Sequence, residues 1–539
     1  MRSNRARWRR RGEWLVLCLA TVAATVAAGQ VLKDLWIRIL LAACGTALAL
    51  LARRSRAAST WYLPSLAVLA LAALVHTAGG DFRRFVTSDW VRGWNTYHYY
   101  LGPKYFGEVG YFDLYRASLV ADQQLGGLWQ TVPKARDQHT YAVLPREAAI
   151  GGYRPEEHFS PARWQEFQQD IQALGPTLPL RKWRTVFRDR GYNATPFWSV
   201  AVSPLARLLP PTSPAAFKLL TALDLLLLAW AFWALAKSFG PATALWVLFF
   251  FALTPVNQGR LVGGILQYDW FSAMALGLAW LSRRRAIPAA LALAFASLAR
   301  VFPVLLVFSV LLPAAWRAWR RRRLERHLVV FALGFGLAMA LGVGIGCLSP
   351  RGPAAWGEFA AKIRIHTAQH VFGEQRVGLK HAFTQDLGEP KPKTEVAARK
   401  QNFLEQTGLY WGLAGLLVLG WLAAVLFRRE RQAWLLGLVP VYALTVASRY
   451  YWSSLALLGA WGGRRAASGL ARRLNLGQSL LLLAFYLASL RIPGAWARYN
   501  LLNWLIALLM ILWLAASLYR DGRLWRRLRG SAPDKVKTA

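Results

Sequence analysis

A chain of 539 residues that is 55% hydrophobic, with a mean hydropathy of +0.27, is unusual for a soluble protein. Its apolar residues are collected in windows of roughly 15 to 22, which indicates a polytopic membrane protein. The formal net charge of +40 comes mostly from short Lys and Arg clusters between these windows. Such clusters mark the cytoplasmic side of a membrane protein and argue against a nucleic-acid partner.

The N-terminal part, residues 1–78, is predicted to form three transmembrane helices near 14–31, 35–51 and 61–78. The basic clusters at both termini are assigned to the cytoplasm, so the third helix delivers Gly79 to the outer side. The polar stretch 79–195 then becomes a large external loop domain. It holds twelve of the 26 acidic residues, which makes it the first place to look for proton chemistry.

The membrane core is predicted over residues 196–348. Its first helix, 196–209, contains Pro204 and is too short to cross, so it is interpreted as interfacial or re-entrant. Crossings near 217–236, 243–256 and 269–281 follow. The apolar run 287–315 has basic clusters at both ends, so the charge rule requires two short helices meeting at Arg300 and Pro303.

A helix near 328–347 leads to a second external loop, 349–407. Residues 408–529 are predicted to form the C-terminal transmembrane helices, near 408–427, 434–447, 452–461, 478–490 and 501–518, and 530–539 a disordered tail. The predicted fold class is therefore an all-α polytopic membrane protein, a bundle of about 11–14 transmembrane or re-entrant helices with a large external loop.

Candidate acid–base residues lie early in the first external loop. Asp81 and Asp89 follow the third helix, and interfacial pairing with nearby arginines is the alternative interpretation. His98 and Glu108 are further acid–base candidates, beside a structural role. Aromatic rings near carboxylates suit sugar binding, although they also suit an interfacial belt. The aromatic candidates for substrate contact are Trp94, Tyr97 and Tyr100.

Further candidates are predicted on the same outer side. Gln267 and Asp269 lie at the outer mouth of a helix, where an acid tends to face a cavity. Arg300 could hold a phosphate bidentately, or snorkel or pair between helices. Cationic residues of the second loop and a later helix end are also available, namely Arg364, His366, His370, Arg376, Lys380, His381 and Arg449. His366 and His370 are four residues apart, which leaves a metal pair as a weak hypothesis.

Four stretches carry a resemblance to a known family. They are Asp89 with the Gly110, Leu114, Tyr115 ending; YNATPFWSVAVSPLA from Tyr192; Gln267-Tyr268-Asp269; and Arg300-Val301-Phe302-Pro303. Together they resemble the GT-C superfamily of integral-membrane glycosyltransferases, and most closely the bacterial glycosyltransferase family 87. Asp269 stands where the family usually has Asn, and Arg300 where it has Lys. The first helices are more numerous than usual, and Asp89 lies further from the Gly-x-x-x-Leu-Tyr ending than the family pattern predicts.

The resemblance implies transfer of a sugar from a polyprenyl-phosphate donor to a glycan, lipid or protein acceptor at the outer face of the bacterial plasma membrane, with inversion. By preference Asp89 takes the proton of the acceptor hydroxyl, with Asp81 and His98 left open. Arg300, with Arg449 or Lys380, stabilises the leaving phosphate. No cofactor is certain and a divalent cation is possible; membrane lipids are the remaining partners.

Two other function classes compete with this interpretation. A transporter or lipid flippase would place charged residues at mid-membrane and show paired repeats. Here Asp224 is the main acid within a span, and most polar candidates gather on the outer side. That asymmetry favours surface chemistry. A non-catalytic scaffold for envelope assembly is the third possibility, and only an assay separates it from the others.

Overall fold

The computed structural model describes residues 32–54, 61–257, 259–373, 375–385, 396–462, 469–492 and 494–529, with a further helical stretch inside 20–28. Most of the predicted first helix, 14–31, and the predicted tail, 530–539, lie outside these residues. In the described part, the α-helices of at least 13 residues are α1 (Asp34–Arg54), α2 (Tyr62–Thr87), α3 (Pro161–Leu174), α4 (Pro196–Leu208), α5 (Pro214–Phe239), α6 (Pro241–Leu253), α7 (Asp269–Ser282), α8 (Ala286–Arg300), α9 (Pro303–Arg321), α10 (Arg326–Gly346), α11 (Ala354–His370), α12 (Thr407–Val425), α13 (Gly469–Ala488) and α14 (Ala495–Arg529).

Shorter elements complete the chain. The short α-helices are Gly93–Thr96, Gly102–Lys104, Phe106–Val109, Leu114–Gln124, Arg146–Ile150, Leu180–Val186, Leu379–Ala382, Val396–Glu405, Glu430–Leu436 and Leu438–Leu444. A π-helix covers Tyr97–Leu101, and 3₁₀-helices cover Pro155–Glu157, Gly175–Thr177 and Arg449–Gly462. The strands pair antiparallel, β1 (Lys134–Arg136) with β2 (Val143–Pro145) and β3 (Arg376–Val377) with β4 (Ala447–Ser448).

The helices confirm the predicted all-α polytopic membrane fold. Within the described residues, six helices are long and apolar enough to cross a membrane: α1, α2, α5, α10, α12 and α14. Helix α10 has a clearly apolar outer surface, because Leu333, Leu337 and Leu341 are each more than half exposed. Apolar side chains in that position require lipid around them.

Three helix boundaries differ from the sequence-based prediction. Helix α2 continues to Thr87 instead of ending near Ala78, so Asp81 lies within the helix and only Asp89 follows it. The Gly79-Gly80 pair does not end α2, because an intact hydrogen-bond ladder continues through the polar turns that follow. The predicted span 434–447 consists of two short helices, Glu430–Leu436 and Leu438–Leu444, and the predicted span 452–461 is a 3₁₀-helix that begins at Arg449.

The predicted break near Arg300 is present. Helix α8 ends at Arg300, Val301 has a φ of +51°, and Pro303 is the first residue of α9. A proline has no backbone N–H and its ring disfavours helical geometry in the residue before it, so it can start α9 but cannot continue α8. The break leaves the Arg300 side chain at a helix end, beside α7 and α4.

The connection from α6 to α7 is the least regular buried backbone in the described membrane region. Residues 254–257 and 259–268 form turns and bends, and most of them are buried. Non-helical backbone at membrane depth is tolerated only where it is enclosed by protein or lines a water-filled cavity. Groups from the first loop satisfy it: the Asn95 side-chain oxygen accepts a hydrogen bond from the Ile265 N–H at 2.6 Å, and the Gly263 carbonyl accepts one from the Arg92 backbone N–H at 2.8 Å.

Asp224 of α5 also stabilises the connection between α6 and α7. Its carboxylate accepts hydrogen bonds from the backbone N–H groups of Gln267, at 3.0 Å, and Tyr268, at 2.9 Å. This gives a structural role to the one mid-span acid that the transporter alternative relied on. We expect Asp224→Ala to lower the free energy of unfolding by about 2 kcal/mol, because two buried donors lose their acceptor. Chemical denaturation in mixed micelles measures this.

The matched control for that substitution is Leu226→Ala on the same helix. Its side chain is 61% exposed on the lipid-facing side, whereas Asp224 is 3% exposed. We expect a change below about 1 kcal/mol for the control, since little buried area is lost. Equal destabilisation by the two substitutions would contradict the capping role of Asp224.

The loop domain, residues 88–195, packs its short helices around an aromatic core. Trp129, Trp183 and Phe187 surround the Tyr97 ring, with the centroid of Trp183 5.3 Å from that of Tyr97. Buried aromatic rings contribute large apolar areas, which allows such short helices to form a stable unit. The β3–β4 pair places Arg376 opposite Ser448, so the second loop lies against the residues that begin the 3₁₀-helix.

Candidate active site

The Arg300–Asp269 pair lies at the junction of α7, α8 and α4. One guanidinium nitrogen of Arg300 is 3.9 Å from Asp269 Oδ1, and the two side chains are 5% and 0% exposed. Trp198 donates its indole N–H to Asp269 Oδ2 at 2.6 Å, and the Trp270 backbone N–H donates to Oδ1 at 2.7 Å. The short helix α4 therefore has a specific use, since it brings Trp198 to this carboxylate.

Aromatic rings enclose the Arg300 guanidinium. Its central carbon is 5.5 Å from the ring centroids of both Tyr99 and Trp198, a distance at which cation–π attraction operates. The hydroxyl groups of Tyr99, Tyr450 and Tyr451 are linked by hydrogen bonds beside it. This tyrosine chain leads from Arg300 toward a second group of arginines.

The membrane-side arginines are Arg92, Arg260 and Arg449, which lie within electrostatic range of one another. All three are partly exposed, and Arg92 donates to Gln267 Oε1 at 3.1 Å. The guanidinium carbon of Arg260 is 5.6 Å from the ring centroid of Tyr450. Burial and the charge of Arg260 lower the pKa of Arg92 to about 9. Guanidinium groups keep their protons in proteins, so Arg92 stays charged although burial and the neighbouring arginines oppose its charge.

The loop-side arginines are Arg190 and Arg376. They interact electrostatically with each other, and Arg376 also with Arg260 of the membrane side. Burial and the charge of Arg190 lower the pKa of Arg376 to about 9. Burial, followed by the charges of Arg376 and Arg190, lowers the pKa of the nearby His366 to about 3, so this imidazole is neutral at physiological pH.

Five of these guanidinium groups have a buried Nε–H without a hydrogen-bond acceptor among the described residues: Arg190, Arg260, Arg300, Arg376 and Arg449. Among the described residues, four acids interact electrostatically with the group, against six arginines: Asp81, Asp189, Asp224 and Asp269. Buried unpaired donors are costly, and so is uncompensated charge. The arrangement therefore favours a bound anion, which would supply both the acceptors and the missing negative charge.

The two candidate bases occupy different environments. Asp81 is half-buried, interacts electrostatically with Arg92 and lies against Gly259, next to Arg260. Asp89 lies at the surface, where its side chain is 75% exposed and 3.6 Å from Lys218 Nζ. The structure thus brings Asp81, and not Asp89, to the membrane-side arginines.

The other loop-domain candidates have partners inside that domain. His98 bonds through Nδ1 to the Trp94 carbonyl at 2.9 Å and through Nε2 to the Tyr115 hydroxyl at 2.8 Å. Trp94 donates its indole N–H to Asp189 Oδ2 at 2.9 Å. The remaining pairs are Tyr97 with Ser118, Tyr100 with Lys104, and Glu108 with Arg163. These contacts therefore hold the loop domain together internally.

Lys380 and the predicted metal pair belong to the second loop. Lys380 Nζ packs over the Phe403 ring, 4.6 Å from its centroid. The side chain of His370 lies outside the described residues, so the His366–His370 pair stays a prediction. Among the described residues, one group has metal-ligand spacing, Glu325, His327 and Glu430, and Arg317 already bonds to both of its carboxylates.

Sequence reasoning missed Arg260 and Arg190 and treated Arg92 only as a partner for neighbouring acids. A signal for Arg260 was present, because it is a lone arginine in the otherwise apolar connection between two predicted spans. Such residues usually face a cavity. Arg190 gave no comparable signal, since it is one of several basic residues in RKWRTVFRDR.

The family comparison favours a glycosyltransferase over the other function classes. Residues 194–448 match the model of glycosyltransferase family 87. The match covers slightly less than half of the chain, and this region is similar to membrane glycosyltransferases of the GT-C type. This confirms the resemblance predicted from the sequence motifs. Searches of curated proteins and of solved structures found no match.

The matched region covers most of the site described above. It contains Trp198, Arg260, Asp269, Arg300 and Arg376, and it ends one residue before Arg449. Asp81 and Arg92 precede it. The arginine-rich candidate site thus lies mostly within the matched region, and the first loop, outside that region, contributes further charged residues to it.

Proposed function

We propose that this glycosyltransferase moves a sugar from a polyprenyl-phosphate donor to an acceptor hydroxyl at the outer face of the membrane, with inversion at the anomeric carbon. The observation that carries the proposal is the set of buried, unpaired guanidinium donors at the mouth of the apolar helices. A lipid-linked phosphate is the anion that reaches such a place, because its chain stays in the bilayer while its phosphate lies at the membrane surface.

The membrane-side arginines are proposed to hold the donor phosphate. As the bond between the sugar and the phosphate oxygen breaks, negative charge grows on the leaving phosphate. Guanidinium groups that are already in place stabilise this charge without reorganisation. Arg449 and Arg260 have free Nε–H donors for the phosphate oxygens, and Arg92 adds a third charge. Arg300 contributes its free Nε–H from the other side of the tyrosine chain.

Asp81 is proposed as the general base, in preference to Asp89. The acceptor oxygen attacks the anomeric carbon from the face opposite the phosphate, and its proton passes to a carboxylate within hydrogen-bond reach. Asp81 borders the proposed phosphate site without being one of the phosphate ligands, so a sugar bound between them would turn its opposite face to this carboxylate, whereas Asp89 points to the surface and Lys218. The developing positive charge on the sugar is stabilised by the same carboxylate.

The location proposed for the enzyme is the bacterial plasma membrane, with both termini in the cytoplasm. The density of Arg and Lys at the ends of α7 and α9, opposite the site, supports this orientation. A sugar acceptor on the outer face would then be a glycan, a lipid or a protein.

A transfer assay tests the proposed function. The protein in lipid nanodiscs is incubated with radiolabelled polyprenyl-phosphate sugars and membrane extracts as acceptor source. We expect Arg449→Gln and Arg260→Gln each to lower kcat/KM by about 10- to 100-fold, because each loses a charge-assisted hydrogen bond worth about 1.5–3 kcal/mol. Arg154→Gln is the matched control, since this arginine is 70% exposed and pairs with Glu157 in the loop domain.

Two outcomes would contradict the proposal. Unchanged kinetics in both site variants would show that the arginines do not hold the phosphate. The second outcome is that no labelled donor supports transfer, while labelled lipid crosses the membrane of vesicles that contain the protein. That result would favour the flippase alternative.

A further inference from the structure

The arginines of the site come from two parts of the chain. Arg260 lies in the connection between α6 and α7 and Arg449 begins the 3₁₀-helix Arg449–Gly462, so both belong to the membrane core. Arg376 belongs to β3 of the second loop, and Arg190 lies at the end of the loop domain. One lipid phosphate at the membrane surface would satisfy the first group. It leaves the second group without an anion.

The loop-side arginines are held in place by specific contacts. The β3–β4 pair fixes Arg376 opposite Ser448, and a terminal nitrogen of Arg376 is 3.4 Å from the Ser448 hydroxyl. A terminal nitrogen of Arg190 is 3.5 Å from the Gln369 carbonyl. Both residues retain a buried Nε–H without an acceptor among the described residues. Two such donors on neighbouring guanidinium groups suit a carboxylate or phosphate.

Local acids do not neutralise this group. Asp189 is the acid nearest to Arg376, and Trp94 donates to its carboxylate at 2.9 Å. Burial opposes its ionisation, yet the charges and hydrogen bonds of His98, Arg190 and Trp94 hold the pKa of Asp189 below its usual value. One carboxylate thus faces two arginines.

Lys362 strengthens the positive field. Its Nζ is buried and donates to Gln138 Oε1 at 2.7 Å. Burial lowers the pKa of Lys362 to about 7, so the charge of this lysine is only partly present at neutral pH. Asp137 and Asp189 interact with Lys362, and Asp189 is shared with Arg376, so the described acids compensate the positive charge of this region only in part.

We infer that Arg190 and Arg376 bind an anionic group, a carboxylate or phosphate, on the acceptor. The inference rests on the proposed function, because it assumes that the membrane-side arginines hold the donor phosphate. An acceptor with this charge is an acidic saccharide or a phosphorylated glycan, presented from the aqueous side. A neutral acceptor would leave both buried Nε–H groups unpaired and is expected to bind more weakly.

A binding experiment tests the inference without requiring transfer. The full-length protein in neutral nanodiscs is titrated with p-nitrophenyl glucuronide or p-nitrophenyl glucoside, which differ in one carboxylate. Undecaprenyl phosphate is present at saturation, so that the membrane-side arginines are occupied. We expect at least 10-fold tighter binding of the glucuronide by calorimetry. In Arg190→Gln/Arg376→Gln this preference should disappear, and in Arg376→Lys it should be partly kept.

Several results would overturn the inference. The two glycosides could bind equally, or the preference for the glucuronide could survive in Arg190→Gln/Arg376→Gln. Glucuronide binding could also be lost when undecaprenyl phosphate is added, which would place the anion at the donor site. Arg260→Gln/Arg449→Gln is the matched control and should keep the preference. An unaltered thermal unfolding midpoint shows that each variant is folded. A glucuronide preference without any transfer activity would refute the proposed function and leave the anion site standing.

Discussion

Asp81→Asn is expected to lower the rate of sugar transfer by about 10²- to 10⁴-fold, the usual contribution of a general base. The substitution keeps the size of the side chain and removes its ability to take the acceptor proton. Donor binding should change little or improve, because the carboxylate next to Arg92 no longer competes with the donor phosphate. The measurement is single-turnover transfer from a labelled polyprenyl-phosphate sugar, with donor affinity determined separately.

Asp89→Asn provides the matched control, since it is the same chemical change eight positions later. Asp89 is 75% exposed and pairs with Lys218, an exposed type of ion pair that contributes little. Activity within about 2-fold of the unmodified enzyme is expected. The reverse result, a severe loss in Asp89→Asn with an active Asp81→Asn, would restore the base favoured by the sequence motif and refute the assignment from the structure.

Arg300→Gln should lower the free energy of unfolding by about 3–5 kcal/mol, because it leaves the carboxylate of Asp269 buried without a countercharge. The pair is 3.9 Å apart with side chains that are 5% and 0% exposed, so water cannot take the place of the guanidinium. Transfer activity should fall as well, since Arg300 also offers a free Nε–H to the site. Denaturant titration in mixed micelles measures the stability.

The double variant Asp269→Asn/Arg300→Gln separates the ion pair from simple loss of packing. Removing both charges should recover more than half of the stability lost in Arg300→Gln, because no unpaired charge remains. Trp198 can still donate to the asparagine oxygen that replaces the carboxylate. Additive losses in the double variant would mean that the 3.9 Å contact does not couple the two residues.

The hydrophobic pattern and the charge clusters of the sequence were sufficient to predict much of the membrane fold. The break at Arg300 and Pro303 was predictable because a proline and a charge rule each required it, and both depend only on neighbouring residues. The short helix before α5 was predictable from length alone. The prediction of helix ends failed where polar residues continue a helix, as in α2. The helical hydrogen bonds tolerate polar side chains, and no local signal ends this helix before Thr87.

The site was predictable only in part. Asp269, Gln267, Arg300 and Arg449 were recognised because a charged or amide side chain at the end of an apolar segment is locally unusual. The structure pairs Arg300 with Asp269, and it places Gln267 and Arg449 with Arg92. Arg376 was recognised only as one of several cationic residues of the second loop, and Arg190 was missed, because both lie in stretches rich in basic residues where no local pattern distinguishes them. Their importance comes from the β3–β4 pairing and from the absence of acceptors for their Nε–H groups among the described residues.

The sequence by itself determined that this protein crosses the membrane many times and resembles a family of membrane glycosyltransferases. Hydropathy and short motifs are local properties, and a chain carries them whether or not its long-range contacts are known. Only the tertiary structure decided which carboxylate faces the arginines. Asp81 and Asp89 differ by eight positions and have the same chemistry, yet the extra turns of α2 direct one toward Arg92 and the other toward Lys218. Burial and countercharge are set by residues far away in the sequence, so the choice between equivalent acids becomes visible only when the chain is folded.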